Sequence, residues 1–255
     1  MKVEYTKLQL CRDPNALAEA GVRRFIAAAE AAVERRGVFL VALAGGSTPR
    51  GLYARLAAPE FAGYVDWSKT HVFWGDERCV PPNHPDSNFR LASHSLLEHV
   101  SIPSANIHRM HGELPPETAT AEYEAELAGF FGSASAPTSG FTFDLTLLGM
   151  GEDGHTASLF PGSPALQIRD HWVAAVPHTS PPEPLVDRLT LTLPALNASR
   201  SVLFLVSGEQ KAAALRQTMM PADAASPKPA ALIRPAQGDL LWLVDQAAAS
   251  QLTIA

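Results

Sequence analysis

The stretch Asp144-Leu-Thr-Leu-Leu-Gly-Met-Gly-Glu-Asp-Gly-His-Thr-Ala-Ser-Leu-Phe-Pro-Gly-Ser163 decides how this chain folds. Residues 143–148 are a short apolar, β-compatible run of the kind that forms a buried strand. Gly149, Gly151 and Gly154 follow at once. So much glycine directly after a strand means a tight turn, or a backbone that another group approaches closely. Glu152, Asp153 and His155 sit inside that turn. In open α/β sheets ligands bind outside the carboxyl ends of the strands. A histidine presented there is a candidate for proton transfer, because imidazole gains or loses a proton near neutral pH.

Gly149-x-Gly151-x-x-Gly154 also spells a dinucleotide-binding fingerprint. That fingerprint needs a long helix straight after the glycines and an acidic residue ending the next strand. Pro161 and Gly162 stop any helix here, and Asp170 precedes the apolar run 172–176 instead of ending it. A small-substrate site is therefore preferred over a nucleotide site.

Toward the N-terminus, residues 3–10 read as a candidate edge strand and Pro14–Arg36 as a helix buried on one face, ended by Gly37. Residues 38–43 form a buried strand. Gly45, Gly46, Ser47 and Thr48 come next, with Thr48 placed to cap a helix and Pro49 to open it. A strand, a Gly-Gly-Ser-Thr turn and a helix start suit a phosphate, because backbone N–H groups and the helix dipole point at it. An ordinary capped turn fits the same residues, and both readings stand. The absence of Gly-Lys-Ser/Thr excludes the nucleotide P-loop. Residues 71–74 form another strand, ended by Gly75, Asp76, Glu77 and Arg78. Three charges at a strand end are unusual for a merely solvated loop. Asp86 or Ser87 caps a helix running to about His99. His94, His99, His108 and His111 lack zinc-site spacing and sulfur partners, so they read as surface histidines. Pro116–Phe131 is a third helix, and residues 132–140 read as a mobile surface loop.

Toward the C-terminus, residues 172–176 form a strand, and the proline-rich residues 178–184 form a loop able to act as a flap. Residues 188–193 alternate like a strand, Ser201–Val206 is a buried strand, and residues 207–211 open a helix through Leu215. Lys211 in that first turn opposes the helix dipole, as a residue holding an anion would; a solvated lysine is the alternative. Residues 221–229 form a loop and 240–244 the final strand. Strands alternating with helices predict an α/β protein with a mainly parallel sheet.

The composition agrees. Of 255 residues, 46% are hydrophobic and 18% charged, which suits a globular chain able to bury a good core. A net charge of −6 without any Lys/Arg run argues against general nucleic-acid binding, so a few local cations must hold any anionic substrate. The N-terminus has no signal-peptide core, and no apolar run reaches the roughly 18 residues of a membrane span. Cys11 and Cys79 make neither a disulfide framework nor a metal cage, which points to a reducing cytoplasm.

With these pieces placed, the chain resembles the 6-phosphogluconolactonase family, which shares a Rossmann-like fold with glucosamine-6-phosphate deaminase. The resemblance rests on Leu43-Ala-Gly-Gly-Ser-Thr-Pro49, Trp74-Gly-Asp-Glu-Arg78 with Ser87-Asn88-Phe89, residues 148–160, Arg188-Leu-Thr-Leu-Thr and Gly208-Glu-Gln-Lys211, in family order over nearly the whole chain. It implies a single α/β domain, 1–255, with a mainly parallel central sheet and helices on both faces. It implies hydrolysis of 6-phospho-D-glucono-1,5-lactone to 6-phosphogluconate, the second step of the oxidative pentose phosphate pathway. It implies no cofactor or metal, no nucleic-acid or membrane partner, and leaves monomer and homodimer open. Carried over by position, His155 is the proton-transfer residue and Asp76 a catalytic-site carboxylate. Arg78 and Asp153 are substrate contacts, and Gly45, Gly46, Ser47, Thr48, Arg188 and Lys211 phosphate contacts. The deaminase has a glutamate five residues after the histidine, where this chain has Phe160. An isomerase or deaminase of the same fold and a non-catalytic sugar-phosphate sensor are the rival readings. Sensors carry an added DNA-binding module, for which this chain has no room.

Overall fold

The computed structural model describes residues 6–133, 136–137, 142–221, 226–235 and 238–252. The chain opens with strand β1 (Thr6–Cys11) and helix α1 (Pro14–Arg36). Asp13 caps α1 by accepting from the Ala16 N–H, and Gly37 closes it at φ 78°, a conformation that costs glycine little. Strand β2 (Phe39–Leu43), helix α2 (Ser47–Leu56), strands β3 (Thr70–Trp74) and β4 (Asp76–Arg78), and helices α3 (Asn88–Ser95) and α4 (Pro116–Phe131) follow. Of the stretch 132–140, read above as a mobile loop, only a two-residue ladder of β5 (Gly132–Ser133) with β6 (Ala136–Pro137) is described. The rest of that stretch lies outside the described residues. Then come β7 (Leu145–Leu148), β8 (Val173–Val176), β9 (Arg188–Leu191), α5 (Leu193–Asn197), β10 (Ser201–Val206), α6 (Ala212–Met219) and β11 (Asp239–Asp245).

Six strands form one sheet in the order β1-β11-β10-β7-β2-β3, with every neighbouring pair parallel. A strand inside such a sheet is covered on both faces, which is why it reads as an unbroken apolar run. In β2, Phe39, Val41 and Leu43 pack with Leu17 and Phe25 of α1 and Leu52 of α2. Leu40 and Ala42 face the other way, into the cluster holding Tyr123, Leu127 and Phe131 of α4. The two-residue period of the strand thus divides one run between two helical layers.

Strand order reverses between β2 and β7. From β2 the chain steps outward to β3, then returns past β2 to β7 and continues through β10 and β11. Such a switch point opens a crevice at the carboxyl ends of the two strands. A second, antiparallel sheet, β4-β9-β8, lies beside it. Residues 75–78, read from sequence as the end of β3, instead begin that sheet. Gly75 makes the change: its N–H donates to Leu43 O and its carbonyl accepts from Leu191 N–H, both at 2.8 Å.

Candidate active site

The carboxyl ends of β2, β3, β7 and β10 border a cavity of about 560 Å³. Gly45, Gly46, Ser47, Thr48, Asp76, Arg78, Asp153, His155, Arg188 and Lys211 all line it. Ten residues spread over five stretches of sequence are thereby brought to one place.

His155 hangs in the turn after β7. Its Nδ1 lies 2.6 Å from Asp153 Oδ1, and its backbone N–H donates to the same oxygen at 3.0 Å. Burial alone would raise the Asp153 carboxyl, but the hydrogen bonds and charge of His155 win and bring it down to about 2. An ionised carboxylate only accepts, so Nδ1 is the donor in this pair and Nε2 is the nitrogen outside it. The glycines explain themselves here. A Cβ at Gly151 would stand 2.1 Å from His155 Nδ1, so only glycine lets the ring lie this close. Gly154 adopts φ 86°, in the left-handed region. The Gly151 N–H donates to His155 O and the Gly154 N–H to Gly151 O. Those two amides are thereby consumed in shaping the turn.

Asp76, 9% exposed, also lines the cavity. Its Oδ2 accepts from Ser158 Oγ at 2.7 Å and its Oδ1 from Asn88 Nδ2 at 3.2 Å. Arg78 and Arg188 are cross-strand partners on β4 and β9. Arg78 donates to Asp86 O and Arg188 to Pro184 O, and the Nε of each is buried without a hydrogen-bond partner among the described residues. Burial, and then the like charge of Arg78, push the Arg188 guanidinium below its ordinary value. Two neighbouring cations held this way form a place where an anion relieves repulsion.

The turn after β2 differs from its sequence reading in one respect. Gly46, at φ 98°, is the cap residue of α2, and Ser47 and Thr48 lie inside the first turn with no side-chain cap bond. Glycine alone can take that conformation cheaply, so the cap needs no hydroxyl, and both hydroxyls stay available to the cavity. Lys211 ends the short turn Glu209–Lys211 and precedes α6 rather than lying in its first turn. Its Nζ is 3.8 Å from Glu152 Oε1, and Glu152 is 64% exposed.

Pro181, Pro182 and Glu183 of the loop read as a flap line the cavity. His178 anchors that loop through Nε2, 2.6 Å from Pro182 O. Phe160 fills the wall between, its ring centroid 4.7 Å from His155 and 4.3 Å from His178. Of the histidines expected at the surface, His108 is buried, stacked on Phe73 and bonded to Glu126. No group of three or more His, Cys, Asp or Glu among the described residues is arranged to hold a metal ion. None of the described helices is long and apolar enough to cross a membrane. Asn88 and Ser158 stand in the sequence blocks quoted above, but they meet Asp76 across 12 and 82 residues, so their contacts were not legible there.

A family model described as glucosamine-6-phosphate isomerases/6-phosphogluconolactonase matches residues 12–242. The 6-phosphogluconolactonase of Nostoc sp. is 41% identical over 248 residues, spanning 97% of this chain and 98% of that protein. The 6-phosphogluconolactonase of Synechocystis sp. is 45% identical over 222 residues, 87% of this chain and 88% of its own length. Among solved structures, 6-phosphogluconolactonase from Trypanosoma brucei superposes with a TM-score of 0.85 at 29% identity, covering 97% of this chain and 99% of the other.

Proposed function

Because this chain belongs to the family of glucosamine-6-phosphate isomerases and 6-phosphogluconolactonases, we propose that it hydrolyses 6-phospho-D-glucono-1,5-lactone to 6-phosphogluconate. One observation carries the reading: His155, bonded through Nδ1 to Asp153, lines the same cavity as the 45–48 turn, Arg78, Arg188 and Lys211. The chain acts as one domain, since the cavity takes residues from both sheets. Free cysteines Cys11 and Cys79 suit a reducing cytoplasm.

The phosphate is gripped by the 45–48 turn and Lys211, with Arg78 and Arg188 completing the cationic wall. That grip aligns the lactone carbonyl with His155 and turns binding energy into orientation. A lactone is an activated ester, so no covalent nucleophile is needed. Nε2 of His155 takes a proton from water attacking C1, and the same proton then goes to the departing ring oxygen. Asp153 keeps the imidazole in the tautomer that this needs and stabilises the imidazolium as it forms. Asp76 supports the charge changes from its place in the cavity lining. The oxyanion that develops on C1 needs a donor, and Arg78, a lining residue, can supply it, a contribution of about 3 kcal/mol for one well-aimed donor.

The direct test is a pH-stat assay of freshly generated 6-phosphogluconolactone. Acid release must accelerate in proportion to protein added. A rate equal to that of the buffer control removes the proposal.

A further inference from the structure

We propose that Ser158 and Asn88 are positioning residues that fix the Asp76 carboxylate relative to His155. This rests on the reading above that Asp76 acts in the reaction. Each oxygen of Asp76 receives one donor, Ser158 Oγ at 2.7 Å and Asn88 Nδ2 at 3.2 Å. Both donors are 1% exposed, so neither side chain has room to wander. A carboxylate bonded at both oxygens by immobile donors keeps a single orientation.

The two donors are in turn tied to the two ends of the cavity. Ser158 lies three residues after His155, in the next turn, which the Leu159 N–H closes onto Thr156 O. The Ser158 N–H donates to Thr190 Oγ1 at 3.2 Å, and Thr190 is the ladder partner of Asp76. Between them Ala157 sits at φ 48°, the one non-glycine residue at positive φ among the described residues. A left-handed alanine costs on the order of 1 kcal/mol and persists only where its surroundings enforce it. Here it returns the chain so that Ser158 faces Asp76. Asn88 reaches the other end. Its Nδ2 also donates to Asp76 O at 2.9 Å, and a Cβ on Gly45 would stand 1.8 Å from its Oδ1. The glycine turn that holds the phosphate is thus moulded onto the side chain that orients Asp76. The packing of Gly45 against Asn88 and the bonds from Asn88 to Asp76 and from Ser158 to Asp76, continued along the backbone from Ser158 to His155, set the spacing between phosphate grip and proton-transfer group.

The test is a double-mutant cycle in kcat and KM using Ser158→Ala, Asp76→Asn and the pair. Ser158→Ala is expected to lower kcat by about 10- to 100-fold, the scale of a small misplacement of a reacting group, with KM nearly unchanged. In the Asp76→Asn background the same substitution is expected to change kcat by less than about twofold, since there is no carboxylate left to orient. Equal losses in both backgrounds mean that Ser158 does not act through Asp76 and overturn the proposal, as does an unchanged kcat in Ser158→Ala. Wild-type turnover in Asp76→Asn alone removes the role of Asp76 and this inference with it. If thermal unfolding shows that Ser158→Ala does not fold, Ser158→Cys, similar in size but a weak donor, carries the same comparison.

Discussion

A single imidazole with one nitrogen occupied and the other free is the smallest unit that explains this site. Asp153 Oδ1 lies 2.6 Å from Nδ1 of His155, so the proposed proton transfer is assigned to Nε2. His155→Asn is expected to lower the catalysed rate by roughly 10²–10⁴-fold, with the unfolding transition unchanged; steady-state kinetics and circular dichroism check both halves. Asp153 carries a second prediction. Its carboxyl lies at about 2 in the fold, against about 3.9 in an unfolded chain. A depressed carboxyl gives stability that is present above the unfolded value and lost as pH falls through the folded one. Between about pH 4 and pH 2 the protein should therefore lose stability with falling pH, and Asp153→Asn should flatten that slope in urea titrations. Lys211 is the third residue to test. Glu152, its only ion-pair partner among the described residues, is 64% exposed, so a phosphate dianion displaces it at little cost. Lys211→Ala should raise KM for the phosphorylated lactone far more than for glucono-1,5-lactone; equal changes would make Lys211 structural. His155, Asp153 and Lys211 were legible in the sequence because each sits inside a local motif. Ser158 and Asn88 were not, because a hydroxyl and an amide acquire meaning only from what they meet across the fold.

Elements are positioned by buried polar groups as much as by apolar faces. Glu77 of β4 is 2% exposed, and its carboxylate accepts from Ser87 Oγ and from the N–H groups of Arg78, Asn88 and Phe89 at 2.7–3.0 Å. Two of these are first-turn amides of α3, which have no partner inside the helix. Burial pushes the Glu77 carboxyl above the ordinary carboxylate range, while the four donors pull it back. Glu77→Gln keeps the shape but turns an –NH₂ toward N–H groups, so it should cost about 2 kcal/mol or more, read as a lower urea midpoint. The same substitution should move Asn88, and with it Asp76. The long helices Pro14–Arg36 and Pro116–Phe131 and the strand Ser201–Val206 were readable to the residue, since periodicity and capping are local. The start of α2 was misread, because a glycine at φ 98° replaces the expected hydroxyl cap. Strand β4 was missed because Gly75 passes the chain from one sheet to the other, a decision made by Leu43 and Leu191 and not by its neighbours.

At the scale of the molecule, the strand order places the crevice, and Phe160 is the wall residue proposed to set the chemistry within it. The order β1-β11-β10-β7-β2-β3 brings the turn after β2 and the turn after β7 side by side, so the proposed phosphate grip and the imidazole share a cavity as a consequence of topology. That arrangement serves a lactonase and a deaminase alike, and the difference must come from side chains. A deaminase has to open a closed sugar ring before it isomerises, and its family sequence carries a carboxylate five residues after the histidine to support that step. Here the position is Phe160, whose ring lies 4.7 Å from His155 and stacks against His178 at 4.3 Å. A phenyl ring neither accepts a proton nor orients an imidazole through a charged hydrogen bond. The orienting bond instead comes from Asp153, on the other side of the ring-bearing turn. Lactone hydrolysis opens the ring by itself, so the loss of that carboxylate leaves the proposed reaction intact. The protein should therefore accelerate hydrolysis of 6-phosphogluconolactone and release no ammonia from glucosamine-6-phosphate. Coupling to glutamate dehydrogenase reads ammonia directly. Steady ammonia release proportional to protein, with lactone hydrolysis no faster than in buffer, would reverse the assignment. Phe160→Glu should then test the wall itself: with a carboxylate beside His155 and the stack on His178 lost, lactonase turnover should fall by about tenfold or more, because the residue now competes with Asp153 for the imidazole.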